Sequence, residues 1–321
     1  MENLRPKIEF YRQRTFSEKM NVVFAFIREN WKPLLKYSFY LIMPICLIQT
    51  FAMNAFVNVA FNVGFNAGAN AATGASGLNP FGDSLASFIS SYGVLMCCTM
   101  IGSGILSGLV YALMETYSSR ENRLQDVTLS DFKDLLVKNA WKYIRLMFAI
   151  ITVYVLIVVV LALLAAYVTA WTLIVTIPVA LLCTLALIPL LMVAPAYIFE
   201  RDITFVGAFR KAWKLGMATL GGMIGLMIVL SFISSVIQSI TMMPWYLLSI
   251  IGNIFSTTSE SMMSQSVAYK FAQYILGLIQ SYGSYVASII GAIGLAFQYF
   301  HAREKLEGVT IESNISNFSK L

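Results

Sequence analysis

LMFAIITVYVLIVVVLALLAAYVTAWTLIVTIPVALLCTLALIPLLMVAPAYIF, residues 146–199, runs for 54 residues without one Asp, Glu, Lys, Arg or His. As an unbroken helix it would extend about 80 Å, against a hydrocarbon layer of about 30 Å, so it is too long for one membrane crossing. The stretch therefore reads as a hairpin of two transmembrane helices. Its turn falls near Tyr167–Trp171, where two amphipathic aromatics mark an interface. The expected fold class is all-α and polytopic.

Outward from this hairpin, apolar runs alternate with basic blocks. Segments 1–36, 120–145, 201–214 and 303–320 hold eight, six, four and three Lys or Arg residues, 21 of the 22, and leave Lys270 alone. Basic loops resist translocation, so these blocks are expected on the cytoplasmic side, with both termini inside and six crossings. The spans read as 37–62, 85–114, 144–167, 171–198, 217–247 and 271–300, with outer loops at about 64–83 and 253–268. The chain is expected to form a single membrane domain over 1–321, ending in a cytoplasmic tail at 303–321. Trp31, Trp141 and Trp213 are expected as interfacial anchors at cytoplasmic ends, and Trp171 and Trp245 at the opposite ends. Pro44, Pro178, Pro189 and Pro195 are expected to kink spans one and four.

Composition points the same way. A chain that is 58% hydrophobic, with mean hydropathy +0.74, has more apolar surface than a soluble core hides. Its net charge of +6 suits an anionic inner leaflet, and no basic domain suggests nucleic-acid binding. Cys46, Cys97, Cys98 and Cys183 fall inside apolar runs and read as small core residues, not a disulfide framework or zinc ligands. The polar, basic first 36 residues do not read as a cleavable signal peptide.

Three short segments precede spans one, three and five: FSEKMNVVFAFIRENWK, LSDFKDLLVKNAWK and TFVGAFRKAWK, each ending in Trp-Lys. In the first, Phe16, Met20, Val23, Phe24, Ile27 and Trp31 recur at helical spacing, as do Leu129, Phe132, Leu136 and Ala140 in the second and Phe205, Phe209 and Trp213 in the third. Each is expected to be an amphipathic interfacial helix. Thr15-x-x-Glu18 and Thr128-x-x-Asp131 form capping boxes, whereas Thr204 has Gly207 in place of the acid. Tyr111, Tyr197 and Tyr299 mark the exits of the even spans. The expectation is three parallel repeats, 15–116, 128–199 and 204–302, of interfacial helix plus two-span hairpin, about an axis along the membrane normal.

With a basic helix before each odd span and APAYIFERDITFVGAFRKAWKLG at 194–216, the chain resembles the six-span membrane domain attached to some bacterial glycerophosphodiester phosphodiesterases, and related stand-alone bacterial membrane proteins. The resemblance implies a bacterial inner-membrane protein. It does not bring phosphodiesterase activity, which resides in a separate soluble domain.

Chemistry within the spans is restricted. Asp and Glu are absent from them, which disfavours proton- or sodium-coupled transport, and the Pro-x-acid-x-x-base gate of mitochondrial-type carriers is missing. His301 is the only histidine, at the end of span six, so no catalytic or metal constellation is expected and no cofactor. The polar features are Asn54, Asn58, Asn62, Asn66 and Asn70 at four-residue spacing, with Gln238 in span five and Gln273 and Gln280 in span six. This stripe reads either as interhelical bonding or as the wall of a crevice. Gly104-x-x-x-Gly108 and Gly221-x-x-x-Gly225 suggest close helix packing. Arg28, Lys32, Lys138, Lys142, Arg210 and Lys214 are the candidate contacts for anionic headgroups or a protein partner. Two functions remain: a non-enzymatic membrane scaffold or accessory subunit, which admits a protein partner or homo-oligomer, and a transporter or flippase for a lipid or amphipathic solute.

Overall fold

A computed structural model describes residues 6–73, 84–167, 187–200, 202–257 and 266–310; the side chains of 62–73, 84–85, 158, 161–167 and 253–257 are outside that description. The helices are α1 (Phe16–Thr73), α2 (Ser84–Ser119), α3 (Leu129–Tyr167), α4 (Val193–Phe199), α5 (Phe205–Ala218), α6 (Leu220–Thr257) and α7 (Val267–Glu307), with a 3-10 turn at Ile188–Met192 before α4. No strand occurs among the described residues. Five helical stretches are long and apolar enough to cross a membrane: Phe16–Phe61, Ala86–Ser119, Leu129–Ile157, Leu220–Gly252 and Val267–Glu307. Most of the 171–198 segment, with Trp171, lies outside the described residues.

The threonine caps form as their chemistry requires. The Thr15 N–H donates to Glu18 at 2.7 Å and the Thr128 N–H to Asp131 at 2.8 Å. Thr204 Oγ1 accepts from the Gly207 N–H at 3.1 Å, so the third helix is capped from one side alone. Asn30 (φ −116°, ψ 19°) and Thr219 (φ −126°, ψ 21°) both leave helical geometry. Each stands 15 residues after its threonine, as 30 − 15 and 219 − 204, and each side chain donates to the carbonyl four residues back, Phe26 at 3.0 Å and Leu215 at 2.9 Å. The break at Thr219 starts the apolar helix α6 at Leu220 instead of 217. In the second segment α3 continues from Leu129 to Tyr167.

Several expectations are corrected. The Gly/Asn/Ala-rich segment 64–73 is helical, not loop, because α1 runs on to Thr73; α6 likewise extends to Thr257, and α7 carries on to Glu307 inside the expected tail. Pro44 lies within α1, whose one non-helical residue is Asn30, so the bend there has a different cause from proline. In the first amphipathic helix, Val23 and Phe26 are fully buried, while Phe16, Phe24 and Trp31 are exposed. In the third, Ala208, Ala212 and Leu215 are buried, Phe205 and Phe209 are half-buried with Phe205 edge-on to Tyr197 at 5.6 Å, and Trp213 is exposed. Small residues let α5 approach its neighbours, and Trp213 is left outward.

The described chain divides into two compact units. The first comprises 1–37, 107–232 and 289–321. Its core is aromatic: Phe10 stacks on Tyr117 at 5.8 Å and on Phe300 at 5.1 Å, and meets Phe297 edge-on at 5.5 Å. The exit tyrosines Tyr111, Tyr197 and Tyr299 are all buried in it. At Gly108 an added Cβ would lie 2.6 Å from the Ala140 nitrogen, so α2 and α3 touch backbone to backbone. Gly221 behaves differently, with nothing within 4 Å of such a Cβ. At Gly225 the nearest atom to such a Cβ is in the Phe16 ring of α1, at 3.4 Å, so the Gly221-x-x-x-Gly225 pair makes no backbone-to-backbone approach.

The second unit comprises 38–106 and 233–288. Uncharged pairs hold it together. Tyr285 donates to Gln49 at 2.6 Å, Thr50 and Ser281 hydroxyls meet at 3.2 Å, and Gln273 donates to Ser249 at 3.3 Å. Trp245 is a correction: it is 3% exposed, not an interfacial ring, and its Nε1–H donates to Asn54 Oδ1 at 2.9 Å. A buried indole N–H needs an acceptor, and Asn54 supplies it.

Candidate functional site

Within the first unit, the turn around Asn30 and the 120–127 connection enclose a groove of about 1280 Å³. The break at Asn30 turns the chain so that Arg28, Lys32 and Lys36 line it together with Trp31 and Pro33. On the other wall, Arg123 (φ 57°) and Asp126 (φ 52°) occupy the left-handed region, which side-chain-bearing residues adopt at a cost. That geometry is held from outside: Arg123 donates to Glu29 at 2.9 Å, and Tyr117 donates to the same carboxylate oxygen at 3.1 Å. The Tyr37 hydroxyl donates to the Val127 carbonyl at 2.6 Å. One acid, Glu29, is thus spent on Arg123. Arg28, Lys32 and Lys36 are exposed and take part in no ion pair shorter than 4 Å among the described residues.

The remaining sequence candidates divide. Lys138, Arg210 and Lys214 are exposed, like Arg28 and Lys32. Lys142 is not like them: it is half-buried, its Nζ donates to the Tyr197 carbonyl at 2.7 Å and sits 4.9 Å from that ring. Its ammonium latches α3 to α4. Trp31, Trp141 and Trp213 are 51%, 63% and 43% exposed, as anchors facing an apolar solvent would be. They stand 16, 13 and 9 residues after Thr15, Thr128 and Thr204, by subtraction, so the Trp-Lys pairs do not share one register.

Of the polar stripe, Asn54 bonds Trp245, and Gln273 bonds Ser249. Gln238 donates to Ser284 at 3.1 Å, with Gln280 at 3.5 Å from the same hydroxyl. Asn58 is exposed, and the side chain of Asn62 is outside the description. The described members with partners therefore tie helices together.

Sequence reasoning missed a third charged assembly in the first unit. Lys211 pairs with Glu200 at 2.5 Å and with Glu307 at 2.9 Å, and Arg303 with Glu307 at 2.9 Å. Tyr299 donates to Glu200 at 2.6 Å, and Arg303 donates to Tyr11 at 3.2 Å. Burial pushes the Tyr11 hydroxyl above its ordinary pKa, and the Arg303 charge beside it opposes that rise. Two acids face two bases here, so the assembly closes on itself and leaves no charge for a ligand. Lys36 and Arg123 were missed because single cations in a basic loop carry no positional signal.

No protein-family model matches the chain, and no curated protein or solved structure is found to be similar to it.

Proposed function

We propose that this chain is a non-enzymatic membrane scaffold or accessory subunit whose cytoplasmic interfacial helices hold anionic lipid headgroups. One observation carries the reading: Arg28, Lys32 and Lys36 line one groove beside the exposed Trp31, without acidic partners among the described residues. An acidic headgroup supplies the missing charge, and tryptophan suits the boundary between headgroup and acyl chain. Lys138, Arg210 and Lys214 extend the basic surface on α3 and α5, each helix with its own exposed tryptophan. Each cation near an anionic surface is worth about 1 kcal/mol.

The proposal includes six crossings, cytoplasmic termini and a bacterial inner membrane, as the basic blocks and the resemblance at 194–216 imply. It also includes the threefold repeat. The matching breaks at Asn30 and Thr219 support an equivalence of the first and third units, while the continuous α3 and shifted Trp-Lys register limit it to the plan of cap, helix and hairpin.

The test is replacement of Arg28, Lys32, Lys138, Arg210 and Lys214 with Gln, sparing Lys142 because of its bond to Tyr197. Native mass spectrometry of the purified variant should show a marked drop in co-purifying anionic lipid, with membrane insertion unchanged. Equal retention in a correctly inserted variant would reject the lipid collar and favour a protein-docking role for these cations. The alternative of a transporter or flippase is disfavoured by the paired glutamines, which spend their hydrogen bonds between helices.

A further inference from the structure

We propose a second, discrete site: the cavity of about 280 Å³ formed by Lys19 of α1, the first turn of α6 and His301 and Lys305 of α7 binds a phosphate-bearing anion. It does not rest on the lipid collar, since none of its residues belongs to that set.

Lys19 is the decisive residue. It is 4% exposed, lines this cavity and pairs with no carboxylate among the described residues; its Nζ donates to Gln298 Oε1 at 2.9 Å. A buried ammonium with one neutral partner is poorly compensated. Gln298 is fully buried as well, and its Nε2 has no partner in the described structure. The acids next in sequence to Lys19 and Lys305 are spent elsewhere, Glu18 on the Thr15 cap and Glu304 on the Thr310 N–H at 3.1 Å.

The surroundings add positive charge instead of removing it. Lys305 stands exposed at the cavity's rim. The Arg14 N–H donates to His301 Nδ1 at 3.0 Å, which puts the imidazole proton on Nε2 as a further donor. Helix α6 begins here, its Met223 N–H bonded to the Thr219 carbonyl at 3.0 Å, so Leu220, Gly221 and Gly222 precede the first intrahelical bond. The N–H groups of a helix's first turn carry positive partial charge, and a Cβ on Gly222 would lie 3.3 Å from Lys19 Nζ. A buried cation thus rests against the positive end of a 38-residue helix. An anion with several acceptor oxygens satisfies the two ammonium groups, the imidazole N–H and the amide N–H groups together, as phosphate does at helix N-termini. The open space at Gly221 leaves room for it.

The experiment uses the delipidated full chain in detergent with two probes: sodium phosphate by isothermal titration calorimetry against chloride at equal ionic strength, and dioleoyl phosphatidic acid by native mass spectrometry. One equivalent of at least one probe should bind, and Lys19→Gln and Lys305→Gln should weaken it at least tenfold. Saturable phosphate binding identifies a free phosphate compound as the ligand; phosphatidic acid alone identifies a lipid headgroup. Gly221→Asp places a carboxylate in the open space and should abolish binding while raising the melting temperature. The five-site collar variant should bind as the parent does, which separates this site from the collar. Absence of one-equivalent binding to either probe, or unchanged binding in Lys305→Gln and Gly221→Asp, overturns the site.

Discussion

The two units of this chain solve the same problem, pairing buried polar groups, with different chemistry. In the first, Glu200, Lys211, Arg303 and Glu307 form a charged assembly, and Glu29 holds Arg123. In the second, which contains Asp83, Glu260 and Lys270 as its only Asp, Glu, Lys or Arg residues, the pairs are neutral: Tyr285 with Gln49, Thr50 with Ser281, Trp245 with Asn54. Charges are tolerated where water or headgroups solvate the rim of a network, and neutral pairs where the surroundings are hydrocarbon. The difference teaches which solvent surrounds each polar network.

The comparison is most exposed at Glu200. Glu200→Ala removes the acceptor of the buried Tyr299 hydroxyl and one of the two acids of the assembly, leaving Lys211 and Arg303 to share Glu307. A loss of about 3 kcal/mol is expected, lower than a fully buried pair's upper range because water reaches the rim. Thermal and chemical unfolding in detergent will measure it, and a loss under 1 kcal/mol would mean that the charged assembly is incidental. Next in size is Gly108→Ala, whose new Cβ meets the Ala140 backbone. About 2 kcal/mol of destabilisation is expected by the same assay, because backbone cannot step aside as a side-chain tip can.

The neutral pairs should be individually weaker. A double-mutant cycle of Trp245→Phe with Asn54→Leu should give a coupling of about 1 kcal/mol, near what hydrogen bonds between membrane helices contribute. A coupling as large as the Glu200 effect would erase the distinction between the units. Smallest of all is Trp141→Ala, at 63% exposure. It should change stability in detergent by less than about 0.5 kcal/mol, yet shift tryptophan quenching by brominated lipid in vesicles. Unchanged quenching would show that this ring does not face lipid.

What the sequence made legible follows from the range of each interaction. Capping boxes are local, so Thr15 with Glu18 and Thr128 with Asp131 form as read. Helix existence depended on long apolar runs and holds for the five long apolar helices described, whereas ends at Thr73, Thr257 and Glu307 overran the expected limits because Asn, Gly and Ser do not themselves stop a helix. Side-chain placement was harder. Trp245 followed no interface rule, since Asn54, 191 positions away, offers its indole an acceptor. Lys19 looked like one more cytoplasmic cation, and its burial depends on Gln298 and the first turn of α6. Such pairings between distant segments leave no periodic trace.

The central claim is the proposed six-span chain with its basic loops in the cytoplasm, and cysteine accessibility tests it most directly. With Cys46, Cys97, Cys98 and Cys183 replaced by Ala, single cysteines at Gly74, Thr169, Ser256 and Ser119 are labelled with a membrane-impermeant maleimide on intact cells. The account predicts labelling at 74, 169 and 256 and protection at 119 until the membrane is opened. Labelling of Ser119→Cys in intact cells, or protection of Thr169→Cys there, would contradict it.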